Sequence, residues 1–196
     1  MKRLFLYLFL LIITLQTPSL ADDIRDFEIE GMSIGDSLLD YFSKNEIKEN
    51  YSAAQYPNKE FIIIYFKNLP RFTTYEGVTI AVKADDKNYY IYDISGSIYY
   101  PNNFNNCLNK MKEIEKELNQ IFDNPQIFSG ENKHSYDKTG KTYQKYTTYY
   151  FNSGDNSQIV CLNWSNELEK DGHTDELSLS IGLKEYADFI QLRAYN

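Results

Sequence analysis

The chain has 196 residues with 28 acidic and 20 basic side chains, a formal net charge of −8, and two cysteines. Proteins bind phosphate groups through clustered lysines and arginines, and no such cluster occurs in the sequence. The composition therefore disfavours nucleic acid and anionic lipid surfaces as partners. The length is enough for one good-sized hydrophobic core or two fused small ones.

Residues 1–21 have the features of a signal peptide. Lys2 and Arg3 precede an apolar stretch at residues 4–15, which is shorter than the roughly 20 residues that span a bilayer. The small residues Ser19 and Ala21 fit a signal-peptidase site. We expect cleavage after Ala21, a periplasmic or secreted protein, and no stable membrane insertion afterwards. The alternative is an uncleaved N-terminal anchor.

The first elements after the leader are predicted to be a strand and a helix. Residues 26–30 alternate between polar and apolar side chains, as in a half-buried strand. Ser33 and Asp36 form a capping pattern, and Leu38 and Phe42 follow at helical spacing. The sequence therefore predicts a helix that begins at Ser33.

Three strands are predicted to follow this helix. Residues 61–66 are almost all apolar, which indicates a central strand covered on both faces. Residues 77–82 and 89–94 alternate around a turn and are expected to form a hairpin. Gly96 interrupts the returning strand and predicts a bulge or a bend there.

The second half repeats the order of a helix followed by strands. A helix is predicted from Phe104 to the Asn124-Pro125 stop, with one apolar stripe that includes Cys107 and Met111. Later strands are predicted at residues 143–151, 158–164 and 176–183, and a closing helix at 184–194. The predicted fold class is α+β, with two tandem units of a helix packed on an antiparallel sheet. The units comprise residues 22–100 and 101–196.

A resemblance to known families rests on the opening of the first unit. The motif Phe27-x-Ile29-x-Gly31-Met32-Ser33, followed by a helix and by the strands at 61–66 and 78–93, resembles the small domains of SmpA/OmlA-type envelope assembly lipoproteins and of beta-lactamase inhibitory proteins. The similarity covers residues 26–94 by motif and the rest by element order. It implies a repeated helix-on-sheet unit.

The two cysteines are predicted to form a disulfide. Cys107 lies on the apolar stripe of its helix and Cys161 lies in a predicted strand, and an exported protein meets an oxidising compartment. The alternative is a pair of buried thiols that pack as small hydrophobic groups.

Few residues suggest catalysis, a metal or a cofactor. Ser33 lies in a G-x-S-x-G sequence between a strand and a helix, which matches the nucleophile elbow of hydrolases, but helix capping is the preferred role. His134 and His173 have no paired-ligand spacing and are expected to be exposed loop residues. We expect no catalytic residue, no metal site and no cofactor, and we keep a serine hydrolase based on Ser33 as an alternative.

The 18 tyrosines are the remaining unusual feature of the sequence. Consecutive strand residues point to opposite faces, so pairs of adjacent tyrosines place rings on both faces of a sheet, and one face is expected to be open. Tyr90, Tyr92 and Tyr99 are the candidate binding residues, although the preference of tyrosine for strands explains the enrichment equally well. The predicted function is a non-catalytic binding module with another envelope protein as its partner. A binder of small ligands or carbohydrates that uses the same tyrosines is the further alternative.

Overall fold

The computed structural model describes residues 24–195, so the predicted signal peptide lies outside the described residues. The strands are β1 (Phe61–Lys67), β2 (Gly77–Lys83), β3 (Ile91–Tyr99), β4 (Gln126–Lys133), β5 (Tyr143–Tyr150), β6 (Asn156–Asn163) and β7 (Glu176–Gly182). The helices are α1 (Lys44–Glu49), α2 (Phe104–Ile121), α3 (Asn166–Lys170) and α4 (Lys184–Leu192), with short 3₁₀ turns at Ile24–Asp26 and Leu38–Asp40.

All seven strands form one antiparallel sheet in the order β1-β2-β3-β7-β6-β5-β4. Two meanders, β1 to β3 and β4 to β7, therefore meet where β3 pairs with β7. The α+β class is confirmed. The division into two tandem units stays a prediction, since the sheet runs continuously through both.

One face of the sheet, here called the covered face, holds most of the hydrophobic core. Over β1 to β3 it packs against residues 24–47, and over β6 and β7 it packs against α2. The first cluster includes Ile29, Met32, Leu38, Phe42, Ile47, Ile64, Ile80 and Ile94. The second includes Cys107, Met111, Ile114, Leu118, Ile159, Leu177 and Leu179. Apolar side chains at alternate positions of these strands thus face the same side, where those of β6 and β7 pack against the apolar stripe of α2.

The predicted strand at residues 26–30 and the helix from Ser33 are both wrong. The chain instead makes a tight turn in which Ile29 and Met32 exchange backbone hydrogen bonds. The Ser33 amide does donate to the Asp36 carboxylate, as in a capped helix, but Gly35 then takes a φ of +89°. A left-handed residue at this position ends the turn before a helix can form.

The backbone of this segment finds its partners on β3 rather than within a helix. The Gly35 amide donates to the Ile91 carbonyl and the Leu38 amide donates to the Tyr89 carbonyl. The first α-helix of the described chain, α1, begins only after Ser43, which forms a complete capping box with Glu46.

Strand β1 is an edge strand, so the prediction of a central strand is wrong, although both its faces are covered as expected. Phe61 lies in the cluster around α4, and Ile64 lies in the core of the covered face. The outer edge is capped by residues 50–55, because the Tyr65 amide donates to Asn50 and the Ile63 amide to the Gln55 side chain. This covering explains why an edge strand has the sequence of a central one.

The predicted hairpin of β2 and β3 is confirmed, but the irregularity lies elsewhere than at Gly96. The register shifts between Ala81 and Val82, whereas Gly96 pairs regularly with Val78. A Cβ on Gly96 would lie 2.4 Å from the Tyr75 ring. The glycine is therefore required by the close approach of an aromatic ring and not by a bulge.

In the second half, helix α2, strands β5 to β7 and helix α4 confirm the predicted elements to within a few residues. The Cys107–Cys161 disulfide is present and joins α2 to β6. Strand β4 was not predicted, because its side chains are mostly polar and exposed and give no apolar alternation.

Candidate binding face

The second face of the sheet, here called the open face, is covered only at one corner. There, α4 buries Phe189 against Phe61, with Tyr92 and Tyr186 beside them. Among residues 24–195, no other apolar cluster lies on this face. From the second half of β3 across to β4, the side chains of the open face therefore meet no packed helix.

The open face is composed mainly of hydroxyl, amide and aromatic groups, with one carboxylic acid and two aliphatic side chains among them. The strand registers place the following residues on it: Thr79, Ser95, Ser97, Tyr99, Glu176, Ser178, Ser180, Gln158, Val160, Leu162, Gln144, Tyr146, Thr148, Tyr150, Phe128, Gly130 and Asn132. Strand β4 bounds this surface and pairs only with β5 among the described strands. Its Phe128 is 57% exposed and packs edge-on against Tyr150, with ring centroids 5.7 Å apart. The face and this sheet edge thus form one continuous surface.

Tyrosine rings lie close against glycines of the sheet. A Cβ on Gly130 would lie 2.6 Å from the Tyr146 hydroxyl, and one on Gly77 would lie 3.0 Å from the Tyr99 hydroxyl. Rings that cover glycines in this way are held by the backbone beneath them. They offer large contact areas that are already ordered before a ligand binds.

The three tyrosines predicted to bind do not form one surface. Tyr99 lies on the open face at the end of β3, where its hydroxyl is 2.5 Å from that of Tyr65 and the Lys67 ammonium lies 5.3 Å from its ring centre. Burial and this hydrogen bond raise the pKa of Tyr99, which keeps its hydroxyl protonated. Tyr92 lies at the other end of β3, about 20 Å away, beneath α4. Tyr90 is exposed just before β3 and donates its amide to Asp86.

A cleft of about 230 Å³ lies between α4 and the open face. Its sheet side comes from four strands, including Asp93 on β3 and Gly182 on β7, which pair directly. A Cβ on Gly182 would lie 2.5 Å from Asp93 Oδ2, so the carboxyl lies across the glycine. Burial raises the pKa of Asp93 from its ordinary 3.8 to about 7. The charge on Asp93 in turn adds to the effect of burial in raising the pKa of Tyr186 in the cleft wall.

The sequence did not identify Asp93 as a site residue. Its only signal is the placement of a carboxylate inside an alternating strand whose other residues on the same face, Ser95 and Ser97, are neutral. Gly182 leaves space for this carboxylate only because β3 pairs with β7. The two residues are 89 positions apart in the sequence, and no local pattern predicts their pairing.

Both histidines lie in loops, as predicted, but the prediction that they are exposed is wrong. They are half-buried and lie beside Trp164, with ring centroids 5.2 Å away for His134 and 4.4 Å for His173. Burial, together with the nearby His173, lowers the pKa of His134. The loop after β4 carries His134, the loop between α3 and β7 carries His173, and both rings meet Trp164 just after β6.

The Ser33 hydroxyl donates to the Phe27 carbonyl at 3.2 Å. Ser33 lines a surface cavity together with Leu183, which directly follows β7. Trp164 lies at the other end of this strand, because its amide donates to the carboxylate of Asp175, which directly precedes β7. The two ends of β7 are about 25 Å apart. The two histidines therefore lie too far from Ser33 to act as its general base.

Within residues 24–195, no helix has the length and apolar character needed to cross a membrane. The same residues contain no group of three histidine, cysteine, aspartate or glutamate side chains placed to hold a metal ion. No protein-family model, curated protein or solved structure matches the chain. The resemblance based on residues 26–94 therefore stays a prediction.

Proposed function

We propose that this protein is an exported, non-catalytic module that binds another envelope protein through its open face. The observation that carries the proposal is a polar and aromatic sheet face that the described chain covers only at one corner, with α4. The sequence features of residues 1–21 support export, and export brings the protein together with envelope proteins as partners.

The size of the open face favours a protein over a small ligand. Five strands at about 4.8 Å spacing and about 25 Å length give a flat area of about 500 Å² before side-chain relief is added. A standard protein interface covers about 800 Å² on each partner, which the adjoining surfaces of α4 and β4 can supply.

The chemistry of the face also suits a protein partner. Tyrosine combines large contact area with few rotatable bonds and a polar tip, and neutral hydroxyl and amide groups are cheaper to desolvate than charges. Within the described part of the face, the rings of Tyr99 and Tyr146 are supported by the glycines beneath them. Such ordered side chains lose little entropy on binding.

Site-specific photocrosslinking in the producing cells tests the proposal. A photoreactive residue is placed at Val160, near the centre of the open face, and in a parallel variant at Glu117, on the exposed side of α2. We expect a discrete crosslinked protein from Val160 only. Equal crosslinking from both positions, or none from Val160, would contradict the proposal.

A charge on the face provides the second arm of this test. Ser178 pairs with Val160 and is partly exposed, so Ser178→Glu places an uncompensated charge inside the proposed interface. Ser135→Glu makes the same change at an exposed turn and is the matched control. We expect the first substitution to reduce crosslinking from Val160 at least tenfold and the second to leave it unchanged, with both variants folded by circular dichroism.

A further inference from the structure

The cleft between α4 and the open face contains a carboxyl without a counter-ion. Asp93 is half-buried and lines the cleft, and burial, with no nearby cation to offset it, raises the pKa of its carboxyl. A partly desolvated carboxylate without a counter-ion is unfavourable in a folded protein. Asp93 is therefore expected to serve a ligand.

The basic residues on and next to α4, and Lys83 beside it, form ion pairs with acids other than Asp93. On α4, Lys184 is paired with Asp188, and Glu185 is paired with Lys83. Arg193, just after α4, holds Glu60 through two hydrogen bonds. None of these pairs neutralises Asp93, so within the described chain a proton alone can neutralise it, and a cation that binds it comes from outside.

We infer that this cleft binds a primary ammonium group, carried by a lysine side chain of the partner, with Asp93 as its counter-ion. The inference rests on the proposed function, since it assigns one contact within the proposed interface. The open face continues directly into the cleft, because Ser180 and Thr148 belong to both.

The groups around Asp93 match an ammonium group rather than a planar guanidinium. An ammonium has three donors on a compact charge, and the cleft offers the Asp93 carboxylate with neutral oxygen acceptors nearby. Gln158 Nε2 donates to Thr148 Oγ1 at 2.8 Å, which leaves the Gln158 carbonyl oxygen as an acceptor. The Tyr150 and Tyr186 rings in the wall add a surface that attracts cations.

The remaining wall suits the stem of a lysine. Ala187 and Ile190 of α4 line the cleft and present apolar surface to methylene groups. The volume of about 230 Å³ is smaller than the roughly 300–1,000 Å³ of pockets that enclose a whole small-molecule ligand. A single side chain is the appropriate size, and the acidic net charge of the protein favours a basic partner.

Carbon-13 NMR of the Asp93 carboxyl tests the inference with Nα-acetyl-lysine amide as the probe. An ammonium that binds only the carboxylate lowers the titration midpoint, by about one pH unit at ten times the dissociation constant. Nα-acetyl-norleucine amide has a similar apolar stem without the charge and is the matched control. We expect the lysine probe to shift the midpoint and the norleucine probe to leave it unchanged.

Variants and a second probe complete the test. Asp93→Asn is expected to weaken binding of the lysine probe at least tenfold, as followed by amide chemical shifts, and Nα-acetyl-arginine amide is expected to bind more weakly than the lysine probe. Equal shifts from the norleucine probe, equal binding of the arginine probe, or undiminished binding to Asp93→Asn would each overturn the inference.

The two proposals fail in different ways. If Val160 crosslinks a partner that Ser178→Glu blocks, but the lysine probe does not bind, the cleft assignment is wrong and the open face still binds protein. If the lysine probe binds in an Asp93-dependent way but no partner crosslinks, the protein-binding proposal and the partner lysine are both overturned. The cleft is then a site for free alkylammonium compounds.

Discussion

Replacing Asp93 with asparagine should change the way stability depends on pH. The folded-state pKa of about 7 lies above the ordinary value of 3.8, so the folded protein keeps a proton that the unfolded chain releases between these values. The wild-type protein therefore loses stability as pH rises from about 4 to about 7. This interval corresponds to at most about 4 kcal/mol, at about 1.36 kcal/mol per pH unit. Since solvent reaches the carboxyl through the cleft, we expect the actual loss of stability over this interval to be about 2 kcal/mol.

The assay is urea unfolding of wild type and Asp93→Asn at several pH values from 4 to 8. Other acids titrate in both proteins, so the difference between their unfolding free energies isolates the contribution of Asp93. We expect this difference to move in favour of the asparagine variant by about 2 kcal/mol as pH rises across the range. A difference that stays constant with pH, or that moves toward the wild type, would show that the carboxyl is not desolvated in the cleft.

Three other regions give tests of the structure. The double substitution Cys107→Ala and Cys161→Ala opens a crosslink that spans 54 residues, which should cost on the order of 4 kcal/mol, with reduced wild-type protein as the control in urea unfolding. Gly96→Ala should cost about 1–3 kcal/mol because the new methyl group displaces the Tyr75 ring, and the same substitution should cost less in a Tyr75→Ala background; an equal cost in the two backgrounds would contradict this contact. The fluorescence of Trp164 should fall on acidification as the adjacent His134 protonates, with a midpoint below 6.5 because burial lowers the pKa of His134; a single transition above 6.5 would contradict this.

Elements with a strong period were predicted well from the sequence. Helix α2 has an unbroken apolar stripe that ends before a proline, and β2 and β3 alternate around a clear turn. The segment at residues 33–42 was misassigned because its capping pattern is real, while Gly35 and the hydrogen bonds to β3 prevent the helix. The local sequence indicated the turn, but it could not predict that carbonyl groups at the start of β3 would accept hydrogen bonds from the backbone amides of this segment.

Pairing between distant strands limited the prediction of the site. Strict alternation along β3 would place Tyr92 and Tyr99, which are seven residues apart, on opposite faces, and only the register shift opposite Ala81 and Val82 brings Tyr92 to the open face. The position of α4 over one end of β3 then separates their environments. Strand β4 was missed because an exposed edge strand needs no apolar period. The cleft depends on the position of α4 over the sheet and on the pairing of Asp93 with Gly182, and no local pattern predicts either.

The energetics of Asp93 link the architecture to the proposed function. The asparagine side chain of the Asp93→Asn variant would have nearly the same volume without a charge to desolvate, so the native carboxyl lowers the stability of the isolated protein at neutral pH. A bound ammonium reverses this effect, because it stabilises the ionised form in the same low-dielectric site. The asparagine variant should therefore be more stable than wild type without a ligand and should gain less stability when Nα-acetyl-lysine amide is added. A purely structural role for Asp93 does not explain why the same carboxyl would both destabilise the free protein and strengthen binding of the lysine probe.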